Sequence, residues 1–194
     1  MHNADIIYAN PTDALHLMAE RGFVLLAKPK DMSDEVVFVA HTGISNPTLA
    51  SFQGVEFATV CGLMPTSIAL SMLHQRGIVP AGMQHRKSWQ AVIRSIWNDE
   101  VQYGIVYKDT YDGLSQQGKS MVQVVATSQE SIAFHAITLA PSLASRQAEI
   151  EQLFLGMHAD ARGQEVLAEL HIPGWLPIAP EEIARMQHVA ATYC

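Results

Sequence analysis

Short apolar, β-branched runs alternate with amphipathic stretches along most of the chain. The runs fall at 5–9, 23–27, 35–41, 55–60, 102–107, 122–127 and 132–138. Each is about one strand long and rich in Val, Ile, Phe or Ala, which predicts strands buried on both faces. The clearest helix pattern is 88–99, where Trp89, Val92, Ile93, Ile96 and Trp97 form one continuous face. Ser88 suits its N-cap, and Asn98 lies near its end. Helices are also predicted over 66–76, stopped by Gly77, and over 11–21, stopped by Gly22. From Leu143 onward the pattern predicts only helices. Ile150, Leu153, Phe154 and Met157 make one stripe, and Val166, Leu167 and Leu170 another. Pro180 followed by Glu181 and Glu182 marks a helix start, because proline tolerates the first turn and acids favour the positive end of the dipole. The expectation is an α/β fold with mostly parallel sheets and a helical C-terminal tail. The polar segment 115–120 is the expected crossing point between two lobes.

Composition narrows the classes. Of 194 residues, 48% are hydrophobic and 16% charged, the latter below the roughly 25% of an average soluble protein. There is enough apolar material for one large domain or two small ones. A net charge of −7 argues against a general nucleic-acid binder, which needs a basic surface. No uncharged apolar run approaches the roughly 18 residues that span a bilayer. Met1 to Asp5 lack the basic start and apolar core of a leader, so no signal peptide is expected. Cys61 and Cys194 make neither a disulfide framework nor a metal spacing.

The common enzyme signatures are absent: there is no Gly-rich phosphate loop, no nucleophile elbow and no zinc-protease histidine pair. The chain has nine histidines. Among them His16, His74, His158 and His188 read as surface groups on helices, and His135 as a packed or edge histidine. Cys61 precedes a helix start and could serve as a nucleophile with a base such as His85, although no base–nucleophile spacing is visible. Two loop-to-helix junctions suit anions, because helix N-termini present unpaired N–H groups and partial positive charge. One is the stretch 61–67, with Gly62 permitting close backbone approach and Thr66 and Ser67 as hydroxyl donors. The other is 84–88, where His85, Arg86 and Lys87 stand next to a helix start.

The order of these pieces resembles the phosphate/phosphonate family of periplasmic substrate-binding proteins, the binding subunits of ABC importers. The resemblance rests on five stretches. They are 4–11, 54–60, Met83-Gln84-His85 with the helix after it, 98–106, and a tail over 154–177. That tail includes Leu155-Gly156-Met157-His158-Ala159-Asp160, Arg162-Gly163 and Ile172-Pro173-Gly174-Trp175-Leu176-Pro177. The resemblance implies two α/β lobes joined by crossings, with ligand in the cleft between them. Residues 1–40 and 115–194 would form the first lobe, and 41–114 the second. Tyr8, Asn10 and Thr12 would face ligand from the first lobe; Gly62, Thr66, Ser67 and His85 would face it from the second. No cofactor, metal or catalytic residue is implied. The implied partners are a small-molecule ligand and an ABC permease, and the implied compartment is the periplasm.

Three departures shape the expectations, one of them Arg86, which stands where the family's histidine is followed by an acid. Where the family's second-lobe loop is rich in Ser and Thr, this chain reads Cys61-Gly62-Leu63-Met64-Pro65, so several hydroxyl donors are missing. The family's opening strand–helix–strand–helix section has no counterpart before residue 5, so the expectation is either a C-terminal fragment or a partial first lobe completed by another chain, with self-association expected because apolar faces need a partner. The functional expectation is a non-enzymatic solute-binding component of an importer, with a sensory or regulatory domain of the same fold as the alternative.

Overall fold

The computed structural model describes residues 4–193. Met1, His2, Asn3 and Cys194, which carry part of the leader reading and all of the terminal-cysteine reading, lie outside the described residues. The chain divides into two compact units. One comprises the residues up to Ser33 together with Ile132–Gln187, and the other Asp34–Ser131 together with the chain from His188 onward.

In the first unit, β1 (Ile6–Ala9), β2 (Val24–Pro29), β8 (Ala136–Leu139) and β9 (Trp175–Leu176) form a sheet in the order β1-β8-β2-β9. The helix α1 (Pro11–Arg21) joins β1 to β2. Its start is set by the Asn10 N-cap, whose side chain accepts from the Asp13 N–H, with Pro11 in the first turn. Gly22 ends it in the left-handed region at φ 67°. The helices α6 (Gln147–Gly156) and α7 (Ala161–Glu169) follow β8. Their Ile150 and Leu167 meet Leu26, Ala27, Ile137, Leu139 and Trp175 in the unit's core. Lys28 is ion-paired with Glu182 at the start of α8 (Pro180–Tyr193) and lies 4.9 Å from the Phe134 ring centroid.

In the second unit, β3 (Val36–His41), β4 (Glu56–Thr59), β5 (Gly82–His85), β6 (Tyr103–Tyr107) and β7 (Val122–Thr127) form a sheet in the order β5-β4-β6-β3-β7. The helices α2 (Met64–Gln75) and α3 (Trp89–Trp97) make the crossovers β4 to β5 and β5 to β6. On one face, Val92, Ile93 and Ile96 of α3 bury against Val37, Val39, Ala58 and Val106. Phe38, Phe52, Phe57, Ile68 and Leu73 are fully buried as well, with Phe52 edge-on to Phe38 and Phe57. Two short helices, α4 (Lys108–Asp112) and α5 (Gln116–Lys119), lead from β6 to β7.

The mixed α/β class and the helical tail agree with the sequence reading. Strand direction differs from it. Only β5-β4-β6 is parallel; β1, β2 and β9 pair antiparallel within the first sheet, and β3 is antiparallel to both β6 and β7. The reason is a strand inserted from elsewhere in the sequence. A helical crossover makes β1 parallel to β2, and β6 parallel to β7, but β8 and β3 lie between them and run the opposite way. The tail is not all helical either, since β9 pairs with the end of β2. In the run 132–138, regular strand begins only at Ala136. The lobe boundaries also move. β3 belongs to the second unit because it pairs with β6, and β7 because it pairs with β3, so 115–120 lies inside that unit. The units change over at 33/34, 131/132 and 187/188.

Candidate functional site

On the second unit, the expected anion loop is a turn between β4 and α2. Gly62 sits at φ 79° and permits it, with nothing within 4 Å of where a Cβ would stand. The residue that caps α2 is Leu63, which offers no side-chain acceptor, and proline stands in the first turn. The dipole end of a 12-residue helix therefore faces this loop with one backbone N–H fewer than usual.

The hydroxyls turn inward. Thr66 is 2% exposed. Its Oγ1 donates to the Val60 carbonyl at 2.8 Å and lies 2.8 Å from the Thr59 hydroxyl. Ser67 is buried as well. In place of a hydroxyl row the loop has His85, exposed at the end of β5. Its Nδ1 accepts the Cys61 N–H at 3.2 Å. That bond assigns the neutral ring's proton to Nε2, leaving Nε2–H as the donor. The structure thus brings His85, Cys61 and Gly62 together and sets Thr66 and Ser67 behind them as scaffold. Cys61 is half-buried and in no disulfide among the described residues; its backbone amide meets His85, whereas nucleophile activation needs a base at the thiol.

Arg86 bridges Gln84 at 3.1 Å and Glu100 at 3.5 Å, and Ser88 caps α3 by accepting the Ala91 N–H. Arg86 and Ser88 are thereby internal bracing, while His85 and Lys87 are the exposed basic side chains of the junction.

On the first unit, Tyr8 is 45% exposed. Its ring tilts against His135 at 5.3 Å and meets Trp175 edge-on at 5.7 Å. Asn10 is engaged at both ends of its amide: Oδ1 accepts the Asp13 N–H and Nδ2 donates to the Asp13 carboxylate. Thr12 lies in the first turn of α1. A groove of about 590 Å3 runs beside these residues, lined by β1, His135 and the outer face of α1. His135 and Trp175 are partners that the sequence reading missed. The run 132–138 reads as one strand, which hides that His135 precedes the strand, and Trp175 reads as part of a helical tail. The indole N–H of Trp175 is buried without an acceptor among the described residues.

Elsewhere in the second unit, Asp34 is 5% exposed and accepts from the Tyr107 hydroxyl at 3.1 Å; that hydroxyl is also 2.9 Å from Asp109. Burial pushes the Asp34 carboxyl up to about 7. The Tyr107 hydrogen bond opposes the rise, and the charges of Asp109 and Glu35 add to it. Among the described residues no cluster of His, Cys, Asp or Glu could hold a metal ion, and no helix is long and apolar enough to cross a membrane.

Known proteins share the fold of this chain. The profile described as "ABC transporter, phosphonate, periplasmic substrate-binding protein" matches residues 2–183. No curated protein sequence matches. Among solved structures, XAC2383 from Xanthomonas citri, bound to chloride ion, superposes with a TM-score of 0.75 at 14% identity, over 97% of this chain and 76% of that one. PhnD1 from Prochlorococcus marinus, in complex with methylphosphonate, gives 0.72 at 10% identity, over 96% and 77%. The periplasmic aliphatic sulphonate binding protein SsuA from Escherichia coli gives 0.66 at 18%, over 96% and 69%. At these identities the structures establish the shared fold, while the profile spans nearly the whole chain: it belongs to the phosphonate periplasmic substrate-binding protein family of ABC transporters.

Proposed function

We propose that this chain, a solute-binding component of an ABC importer, captures a small oxyanion of the phosphate or phosphonate type. The loop 61–63 and His85 form its anion-facing surface on the second unit. The observation that carries the reading is the Cys61 N–H to His85 Nδ1 bond. It holds the imidazole against the loop that opens α2 and leaves Nε2–H as the ring's donor. On the first unit, Tyr8 is the side chain most available to a ligand. Asn10 is occupied in capping α1 and contributes chiefly by holding that turn.

Because Thr66 is consumed by scaffold bonds, the surface offers fewer hydroxyl donors than a phosphate-specific loop would. This favours a monoanion or an alkyl-bearing oxyanion, whose carbon substituent tolerates the apolar Leu63, over a dianion that needs every oxygen satisfied. The role is binding rather than catalysis, with the family's permease as the downstream partner and the periplasm as the compartment.

Calorimetry with phosphate, methylphosphonate and a short alkylsulfonate tests the proposal. Binding of at least one is expected, and His85→Ala should weaken it by about 10- to 150-fold, the value of one charge-assisted hydrogen bond. His85→Asn keeps an acceptor close to the position of Nδ1 but removes the Nε2 donor, and should lose as much. No heat with any of the three anions would sink the reading.

A further inference from the structure

His85 stands at the end of an edge strand. In the order β5-β4-β6-β3-β7, β5 has a neighbour on one side only among the described residues, so its last residues are held by half a ladder. That ladder runs from Gly82 opposite Glu56 to His85 opposite Thr59. One residue further on, the Arg86 N–H donates to the Thr59 carbonyl at 2.8 Å. Backbone groups of successive strand residues point to opposite sides, so those of His85 point away from β4. The His85 carbonyl is an edge group that the sheet itself leaves open.

The Arg86 side chain closes that edge. Its Nη1 donates to the His85 carbonyl at 3.2 Å. Its Nη2 donates to Gln84 Oε1 at 3.1 Å and reaches Glu100 Oε2, between α3 and β6, at 3.5 Å. Gln84 in turn donates from Nε2 to Glu56 Oε2 on β4 at 2.8 Å. The guanidinium thus fastens the strand end to itself, to β4 and to the turn before β6. Burial alternates here: Gln84 and Arg86 are half-buried, whereas Met83 and His85 are exposed, which places the brace and the imidazole on opposite faces of β5. The brace therefore acts on the ring through the backbone. What depends on it is the 3.2 Å bond from the Cys61 N–H to His85 Nδ1. That length is at the upper end for a hydrogen bond, so a small shift of the strand end breaks it.

We propose that Arg86 is a positioning residue for His85: by capping the His85 carbonyl and clamping Gln84, it holds the strand end where Nδ1 accepts from Cys61 and Nε2 keeps the proton. Charge alone does not do this. An ammonium concentrates its donors on one nitrogen and lacks the planar fork whose two ends reach His85 and Gln84 separately. The consequence for ligand affinity rests on the anion reading above, because a ring released from Cys61 carries its proton on either nitrogen. The tautomer itself does not rest on that reading.

The test reads the ring directly, by long-range proton–nitrogen NMR spectra of the full chain at about pH 8, where an ordinary imidazole is neutral. Nδ1 is expected as the unprotonated nitrogen and Nε2 as the protonated one. Arg86→Lys keeps the charge. Gln84→Met breaks the brace from its other end and covers the case in which the arginine variant does not fold. Each is expected to average the shifts of the two ring nitrogens and to speed Cys61 amide exchange about tenfold, with the amides of β6 as protected as before. Methylphosphonate affinity should fall about tenfold in the same variants, and no further when either is combined with His85→Ala. The opposite tautomer in the unaltered chain overturns the inference. So do an unchanged ring and an unchanged Cys61 amide in the folded variants, even if Tm falls, because Arg86 is then structural only. An averaged ring with unchanged methylphosphonate affinity overturns it too. Absence of heat with every anion sinks the anion reading instead, and the ring and amide measurements alone then decide whether Arg86 positions His85.

Discussion

Asp34 shows how one carboxyl makes stability depend on pH. Its value in the folded chain is raised from 3.8 to about 7, chiefly by burial, so between those values the folded state binds a proton that the unfolded state lacks. The sign follows: stability from this group is greatest at low pH and is lost as pH rises toward 7. The penalty above pH 7 is at most about 4 kcal/mol. Asp34→Asn keeps an acceptor for the Tyr107 hydroxyl and removes the charge. It should raise Tm by several degrees at pH 8 and by less at pH 5, read from thermal unfolding of both chains at both pH values. His85 is the other residue whose role depends on a single atom. A candidate anion donor was legible from its place before a helix, but its tautomer was not, because the Cys61 amide that assigns it is 24 residues away.

Helix ends explain much of what the sequence announces. Asp160 caps α7 by accepting the Gly163 N–H at 2.7 Å, which accounts for the Asp160 and Gly163 of the tail motif. A Cβ on Gly163 would stand 2.1 Å from the Met157 carbonyl oxygen, a backbone atom that cannot swing aside. Gly163→Ala should therefore cost about 2–3 kcal/mol in denaturant unfolding. Gly104 is a milder case. Its Cβ would meet Ile96 Cδ1 at 2.7 Å, Val92 Cγ1 at 2.9 Å and the Ala58 carbonyl oxygen at 3.2 Å; all three are longer than the Gly163 contact, so Gly104→Ala should cost less. Ser88→Ala removes the cap of α3 and should cost about 1 kcal/mol. Helices 11–21 and 88–99 were readable because cap, stripe and stop agree locally. The strands β5 and β9 were not. β5 has no long apolar run, being an edge with alternating exposure, and β9 exists only through its pairing with β2.

For the whole molecule, the crossings of the chain matter most. Glu35 follows the first change of unit, and its buried carboxylate accepts from Ser128 Oγ and from the Glu130 and Ser131 N–H groups just before the second. Ser128 Oγ in turn accepts the Val36 N–H at 2.8 Å. Glu35→Ala would strand these donors and should cost about 3 kcal/mol, with faster amide exchange at 128–131 as the local signature. The sequence by itself determined the α/β class, the order of most strands and helices, the family, and the neighbourhood of the candidate loop 61–67. These are properties of local periodicity, caps and contiguous motifs. Tertiary structure alone decided the strand directions, the points at which the chain changes unit, and the conversion of Thr66 and Ser67 from donors to scaffold. Each of those depends on pairing between segments far apart in the chain, where β3 inserts between β6 and β7, and β8 between β1 and β2, and no local pattern of hydrophobic residues records which neighbour a buried strand will find.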